Sequence, residues 1–192
     1  MTMEKYRYGT KEIIATILGV GIFVASIPLE RLLASAGAVP ALVFNWITFR
    51  VLIVAIVAVF FGPICGILVG AGGNLLVFKI FESSIVYPEV IVLGLYGFTL
   101  GWYYGKRHLD LKRVTSQTIL DFNAVQIMVS ILFVLFLSPL LHFLFEGEGV
   151  YDAVAASARW TAGGCVLVGI VGSILICVVS LITRSRQKRH GA

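Results

Sequence analysis

Charged side chains are scarce in this sequence of 192 residues: they make up 13% of it, whereas hydrophobic residues make up 59%. Soluble domains contain about 25% charged residues, and a soluble core of this size cannot hide so much apolar surface. Lipid therefore has to cover it. The net charge of +5 is explained by anionic headgroups and membrane topology, because the basic residues border hydrophobic runs. No nucleic-acid partner is expected.

Motifs of nucleotide hydrolysis and metal catalysis are also missing. The sequence has no G-x-x-x-x-G-K-[ST], H-E-x-x-H or G-x-S-x-G, which excludes a P-loop ATPase and argues against the common hydrolases. The few cysteines, Cys65, Cys165 and Cys177, lie in apolar stretches without metal-ligand spacing, so we interpret them as small core hydrophobes. No cofactor is expected. The apolar run after Lys11 leads directly into further such runs, so no cleavable signal peptide is predicted.

Long hydrophobic segments fill the rest of the sequence. A spanning helix needs about 20 mostly apolar residues, and the sequence offers six such segments, at about 12–33, 41–61, 63–80, 87–104, 118–145 and 153–183. The second and third are separated by Phe61-Gly62-Pro63, because Pro removes a hydrogen-bond donor and restricts the residue before it. We predict an all-α integral membrane protein, a single membrane domain over residues 1–192 that forms a compact bundle of six transmembrane helices.

Basic residues indicate how this bundle is oriented. Most of the 15 Lys and Arg residues fall in three clusters, near the start (5–11), in the loop 106–113 and at the end (184–189). Short loops rich in Lys and Arg stay in the cytoplasm. Six crossings place these three clusters on one side, so we predict that both termini are cytoplasmic.

Polar side chains inside the spans are candidates for function, since they are costly in lipid. With the direction fixed, most of them lie in the external half of the bundle, which predicts a small-ligand pocket open to the outside. The candidate ligand-binding residues are Asn45, Trp46, Arg50, Asn74, Lys79, Tyr87, Glu89, Tyr96, His142, Arg159 and Trp160.

Other interpretations of these residues stay open. Trp46, Tyr87 and Trp160 are also typical of the aromatic belt at the membrane surface. Lys79 and the deeper Arg50 can instead extend to the headgroups. In the same way, His142 is also typical of a solvated helix end.

A second set of polar residues does not fit an external pocket. Asn123, Gln126 and Ser130 are spaced i, i+3, i+7, which places them on one helix face in the inner half of the fifth span. A polar seam between helices and a ligand role are both compatible with this stripe. In the first span, Ala15 and Gly19 are small residues four apart, which permits close approach of another helix, inside this chain or outside it.

Three stretches carry a resemblance to a known family. They are Phe61-Gly62-Pro63-Ile64-Cys65-Gly66-Ile67-Leu68-Val69-Gly70 with the following Gly73-Asn74-Leu75-Leu76, then Phe122-Asn123-Ala124-Val125-Gln126-Ile127 continuing to Ser138-Pro139, and Gly169-Ile170-Val171-Gly172-Ser173-Ile174-Leu175. Together with the opening Ile13–Phe23, they make the sequence resemble the substrate-binding S components of energy-coupling factor (ECF) vitamin transporters. The resemblance is strongest to the hydroxymethylpyrimidine/riboflavin-type subgroup.

The resemblance implies a six-helix protein in the plasma membrane of a prokaryote that binds one water-soluble vitamin near its extracellular face. It implies association with a transmembrane coupling protein (T component) and two ATPase subunits, which hydrolyse ATP, so the chain itself is not expected to be an enzyme. The family's small-x-x-x-small motif on the first helix, which contacts the coupling protein, falls on Ala15 and Gly19.

We therefore expect vitamin binding and translocation as an S component, with a flat pyrimidine or pyridine ligand such as hydroxymethylpyrimidine or a B6 vitamer. Riboflavin is the alternative ligand. Two other classes stay open: a small intramembrane enzyme that uses His142 with Glu89 or Glu146 as acid and base, and an assembly subunit without a ligand.

Overall fold

The computed structural model describes residues 9–35, 49–82, 84–107, 114–147 and 149–190. It contains six helices and no strand within those ranges. The helices are α1 (Thr10–Ser35), α2 (Phe49–Phe61), α3 (Pro63–Phe81), α4 (Tyr87–Arg107), α5 (Ser116–Glu146) and α6 (Val150–His190). The prediction of an all-α bundle of six helices is confirmed.

Length and composition fit four of these helices to a bilayer. Four segments are long and apolar enough to cross a membrane: Thr10–Leu29, Pro63–Phe81, Ser116–Glu146 and Tyr151–Thr183. Their outer faces are apolar as well. In α1 and α6, for example, Ile17 is 66% and Val166 is 62% exposed. Side chains of this kind on the exterior are stable against lipid rather than water, because lipid tails are as apolar as they are.

Local sequence explains where several helices begin and end. Gly62 separates α2 from α3 with φ 95°, a left-handed conformation that only glycine adopts without strain, and Pro63 then occupies the first position of α3. Thr115 caps α5 through a reciprocal pair of contacts with Thr118, which satisfies free N–H groups at the helix start. At the other end of α5, Gly147 also has a positive φ of 69°.

Helices α3 and α4 touch along their backbones. A Cβ atom on Gly66 would collide with the carbonyl group of Gly97, and one on Gly70 would collide with that of Leu93. Small residues at such positions let two membrane helices approach closely. This contact fixes α4 against α3, and it sets the relative position of the polar residues that the two helices carry.

The small residues of α1 pack inward. Ala15 is 8% exposed, and a Cβ on Gly19 would lie 2.8 Å from Val69 and 3.0 Å from Val57. Gly19 therefore faces α2 and α3 of the same chain, and Ala15, four residues earlier, lies on the same face of α1. The sequence allows this pair to pack against a helix of the same chain or of a partner chain, and the structure shows packing within the chain. The assignment of these residues to a partner chain stays a prediction.

Two helices of the bundle contain a π-helical segment, Leu68–Gly72 in α3 and Ile131–Leu137 in α5. Such wider turns are rare and often lie at functional sites. Because successive helices run in opposite directions, Phe81, Tyr87, Glu146 and Tyr151 lie at one end of the bundle. We call it the cavity end, because an internal cavity lies near it. The opposite end, with Lys11 and Arg107, is the basic end.

Candidate functional site

Three polar side chains from three helices meet in the interior near the cavity end. Arg50 Nη1 donates to Asn74 Oδ1 at 3.4 Å and to Glu89 Oε2 at 3.3 Å, and Asn74 Nδ2 donates to the main-chain oxygen of Glu89 at 3.1 Å. The Arg50 and Glu89 side chains are only 15% and 13% exposed, and Asn74 is fully buried. We call these three residues the charged cluster.

The helices explain why these residues converge. Arg50 lies in the first described turn of α2, and Glu89 lies in the first turn of α4, where a carboxylate is favoured by the helix dipole. Asn74 follows the π segment Leu68–Gly72 of α3 directly after Gly73. Because the backbones of α3 and α4 are in contact, the short amide side chain of Asn74 can bond to the main chain of α4.

Trp160 of α6 adds an aromatic wall. The guanidinium carbon of Arg50 lies 5.7 Å from the centroid of the Trp160 ring, within the range of a cation–π contact, which is worth about 2 kcal/mol when it is shielded from water. The ring thus stabilises the guanidinium from one side, while Glu89 and Asn74 accept hydrogen bonds from it on other sides.

A cavity adjoins the charged cluster. It is lined by Arg50, Val51, Glu89, Val92, Leu93, Val134, Ser138 and Trp160, so α2, α4, α5 and α6 all contribute to its wall. Its volume is about 20 Å³, enough for one water molecule. Pockets that hold small organic ligands measure roughly 300–1,000 Å³, so a vitamin can occupy this cavity only if side chains or helices move apart.

The chemistry of the site suits a polar, planar molecule. The Arg50–Glu89 contact at 3.3 Å is longer than the roughly 2.7–2.9 Å of a strong charge-assisted hydrogen bond. Arg50 Nε is buried without a hydrogen-bond partner among the described residues. A ligand can therefore take up free bonding capacity of the guanidinium and stack on the Trp160 ring.

His142 forms a separate pair on α5. Its Nδ1 lies 2.8 Å from Glu146 Oε2, one helical turn along the same helix. Neither residue lines the cavity, whose wall contains Glu89 instead. His142 nonetheless lies close enough to Glu89 to interact electrostatically with its carboxyl group, although only Glu89 lines the cavity.

The other predicted residues lie apart from the cavity or outside the described ranges. Lys79, Tyr87 and Arg159 are exposed and do not line it. Asn45 and Trp46 fall outside the described residues. Of the predicted residues, the structure thus brings Arg50, Asn74, Glu89 and Trp160 together, with Tyr96 deeper in the core. A ligand role stays a prediction for all of the predicted residues.

Part of the cavity wall was missed by sequence reasoning. It consists of Val51, Val92, Leu93, Val134 and Ser138. An aliphatic residue that faces a cavity looks the same in a sequence as one that faces lipid, so the four hydrophobic residues carried no signal. Ser138 did carry one, since it is a small polar residue that precedes Pro139 within an apolar span.

Comparison with known proteins supplies a family. Residues 10–181 match the family described as ECF-type riboflavin transporter, S component. A UPF0397 protein from Exiguobacterium sp. is 29% identical over 93% of this chain and 94% of its own length. UPF0397 proteins from Leuconostoc citreum (27% identical, 95% and 92% coverage) and Staphylococcus aureus (25%, 91% and 91%) are also similar. No solved structure matches the chain.

Proposed function

Since the chain belongs to the family of S components of ECF-type riboflavin transporters, we propose that it captures a water-soluble vitamin or vitamin precursor in the cavity beside the charged cluster. Members of this family are transporter subunits rather than enzymes, and ATP is hydrolysed on separate subunits. The ligand proposed is a flat pyrimidine or pyridine heterocycle, such as hydroxymethylpyrimidine or a B6 vitamer.

One observation supports a ligand role above the others, the burial of Arg50 and Glu89 inside a membrane bundle. A charged pair taken out of water is rarely a net gain in stability over apolar residues, and ionisable residues within membrane spans usually serve function. Here the pair borders a cavity and lies beside the aromatic ring of Trp160. Guanidinium, carboxylate and ring together provide a donor, an acceptor and a stacking surface for a small heterocycle.

Binding to a panel of vitamins tests this proposal. The purified protein in detergent is titrated with hydroxymethylpyrimidine, pyridoxine, pyridoxal, thiamine and riboflavin, and binding is followed by calorimetry and by quenching of tryptophan fluorescence. Saturable binding of a pyrimidine or pyridine compound is expected, and Trp160→Leu should weaken it. The control is Lys11→Gln, an exposed basic residue at the opposite end of the bundle. Failure of every compound to bind would refute the proposal.

Riboflavin is the second candidate ligand, because the matching family is described by that vitamin. Its ring system is larger than a single pyrimidine, so the cavity would have to widen further to admit it. The same panel separates the two candidates. Competition decides which compound is preferred: the true ligand displaces the others at concentrations near its own dissociation constant.

We also propose how the protein is assembled and placed. The site would face the exterior of a prokaryotic cell, with both termini in the cytoplasm, and a T component with two ATPase subunits would bind the chain through Ala15 and Gly19. Because Gly19 packs against α2 and α3 and Ala15 is buried, such contact requires α1 to separate from these helices during transport.

Cross-linking tests this contact. Ala15→Cys, co-expressed with a T component that carries cysteines along its facing helix, should form cross-links when ATP is hydrolysed. Ile17→Cys, on the exposed side of α1, is the comparison. Cross-links from Ile17→Cys alone would contradict the assignment of Ala15 and place the partner on the opposite face of the helix.

A further inference from the structure

Three polar side chains of α4 and α5 are wholly buried in the interior of the bundle. Tyr96, Gln126 and Ser130 are exposed by 1% or less. Each has one polar atom without a hydrogen-bond partner among the described residues: the Tyr96 hydroxyl, the Gln126 Oε1 and the Ser130 hydroxyl. Leaving a buried polar atom unpaired is costly, and native proteins contain few such atoms.

These residues form one group, which we call the inner cluster. Gln126 Nε2 donates to the main-chain oxygen of Cys165 on α6 at 3.1 Å. The Ser130 hydroxyl interacts with both the Tyr96 hydroxyl and the Cys165 thiol, but the contact between the two hydroxyls falls outside the geometry of a hydrogen bond. The free polar atoms are therefore gathered in one place between α4, α5 and α6.

The inner cluster lies one helical turn below the cavity. On α4, Tyr96 follows the wall residues Val92 and Leu93 by four and three positions, which places all three on one helix face. On α5, Ser130 precedes the wall residue Val134 by four positions. Arg50 and Glu89 of the charged cluster thus line the cavity, and the inner cluster lies deeper in the bundle, beyond the wall residues Val92, Leu93 and Val134.

The backbone of α5 departs from the regular α-helix next to the inner cluster. Its π segment, Ile131–Leu137, begins directly after Ser130 and ends directly before the wall residue Ser138. This wider turn covers the distance from the inner cluster to the cavity. π-Helical turns concentrate at functional sites. The π segment of α5 joins the inner cluster to the cavity wall, so its position supports a functional role for both.

We propose that the inner cluster is the deep end of the ligand site and hydrogen-bonds an uncharged edge of the ligand. The proposal rests on the proposed function and narrows its substrate class. Gln126 Oε1 only accepts, so the ligand must present a donor to it, while the hydroxyls of Tyr96 and Ser130 can donate to an acceptor. The ligand is therefore a heterocycle with polar groups on two opposite edges, one facing Arg50 and Glu89 and the other, uncharged, facing inward.

Deletion of single hydroxyls tests this inference. Tyr96→Phe and Ser130→Ala each remove one oxygen and little else. Each should weaken binding of the panel compound that wild type binds by about tenfold, the effect of losing one such hydrogen bond. Melting temperatures without ligand report any purely structural effect. The matched control is Ser26→Ala, which removes a buried hydroxyl that is already bonded to the main-chain oxygen of Phe23.

The outcomes are distinct. Weaker binding by Tyr96→Phe and Ser130→Ala, with unchanged melting temperatures and an unaffected Ser26→Ala protein, supports the inference. Wild-type affinity in both variants overturns it and assigns the inner cluster to a buried water, while the proposed function stands. A wild-type protein that binds no compound overturns both.

Discussion

Asn74 of α3 donates a hydrogen bond of 3.1 Å to the main-chain oxygen of Glu89 in α4. The oxygen of the same amide accepts a hydrogen bond from Arg50. One fully buried amide therefore positions both members of the ion pair, Glu89 through its backbone and Arg50 through its side chain. No other side chain among the described residues bonds to both of them.

Replacement of this amide should disturb the site as a whole. Asn74→Ala leaves one buried N–H of Arg50 without its partner, at about 1–3 kcal/mol, and removes a second hydrogen bond of the Glu89 main-chain oxygen, which keeps its helical bond, at about 1 kcal/mol. We expect the affinity for the ligand to fall at least tenfold and the melting temperature to fall as well. Titration and thermal unfolding in detergent measure the two effects. Wild-type affinity in this variant would show that Asn74 does not position the cluster.

The Arg50–Glu89 pair should show strong coupling in a double-mutant cycle. Arg50→Met or Glu89→Met alone leaves a charge unpaired in the interior, which costs about 3–5 kcal/mol of stability. The double variant Arg50→Met/Glu89→Met should recover at least half of that loss, yet bind no ligand. Unfolding free energies of the four proteins test this. Additive losses would mean that the two charges do not interact.

The backbone contact between α3 and α4 should not tolerate a single methyl group. Gly97→Ala places a Cβ against the main chain of Gly66, which cannot move aside as a side chain can. We expect misfolding or a loss of several kcal/mol, at the upper end of what overpacking causes. Gly21→Ala is the matched control, because nothing lies within 4 Å of its Cβ position. It should be neutral or raise stability by up to about 1 kcal/mol through helix propensity. Thermal unfolding of both variants decides the matter.

Chemical labelling of intact cells should reveal the orientation. Tyr151 lies at the cavity end and is 84% exposed, whereas Lys11 is exposed at the basic end. In a background without Cys65, Cys165 and Cys177, Tyr151→Cys should react with a membrane-impermeant maleimide in whole cells. Lys11→Cys should react only after lysis. The reverse pattern would place the charged cluster near the cytoplasm.

The sequence predicted the helices well because membrane spans depend on composition, which a chain displays directly. The Phe61-Gly62-Pro63 break is an example, since a left-handed glycine and a proline at the next helix start follow from backbone sterics. The π segments in α3 and α5 were not predicted. Their residues are ordinary aliphatics and glycines, and the wider turn depends on how the helices pack.

The candidate site was only partly predictable, for a related reason. Charge in a span identifies Arg50 and Glu89 as unusual, and their similar depth in the membrane allows the two side chains to meet. Depth does not reveal rotation about the helix axis, however. From the sequence alone, Lys79 and Arg159 were therefore as good candidates for the site as Arg50, although the structure places both on the exposed side.

The volume of the cavity, about 20 Å³, has a kinetic consequence. A vitamin cannot enter this cavity until the surrounding side chains or helices part, so association waits on an open conformation and is slower than diffusion permits. Release waits on the same opening. Bound molecules should thus persist through dilution and chromatography, and the protein as isolated from cells should carry its own ligand with it.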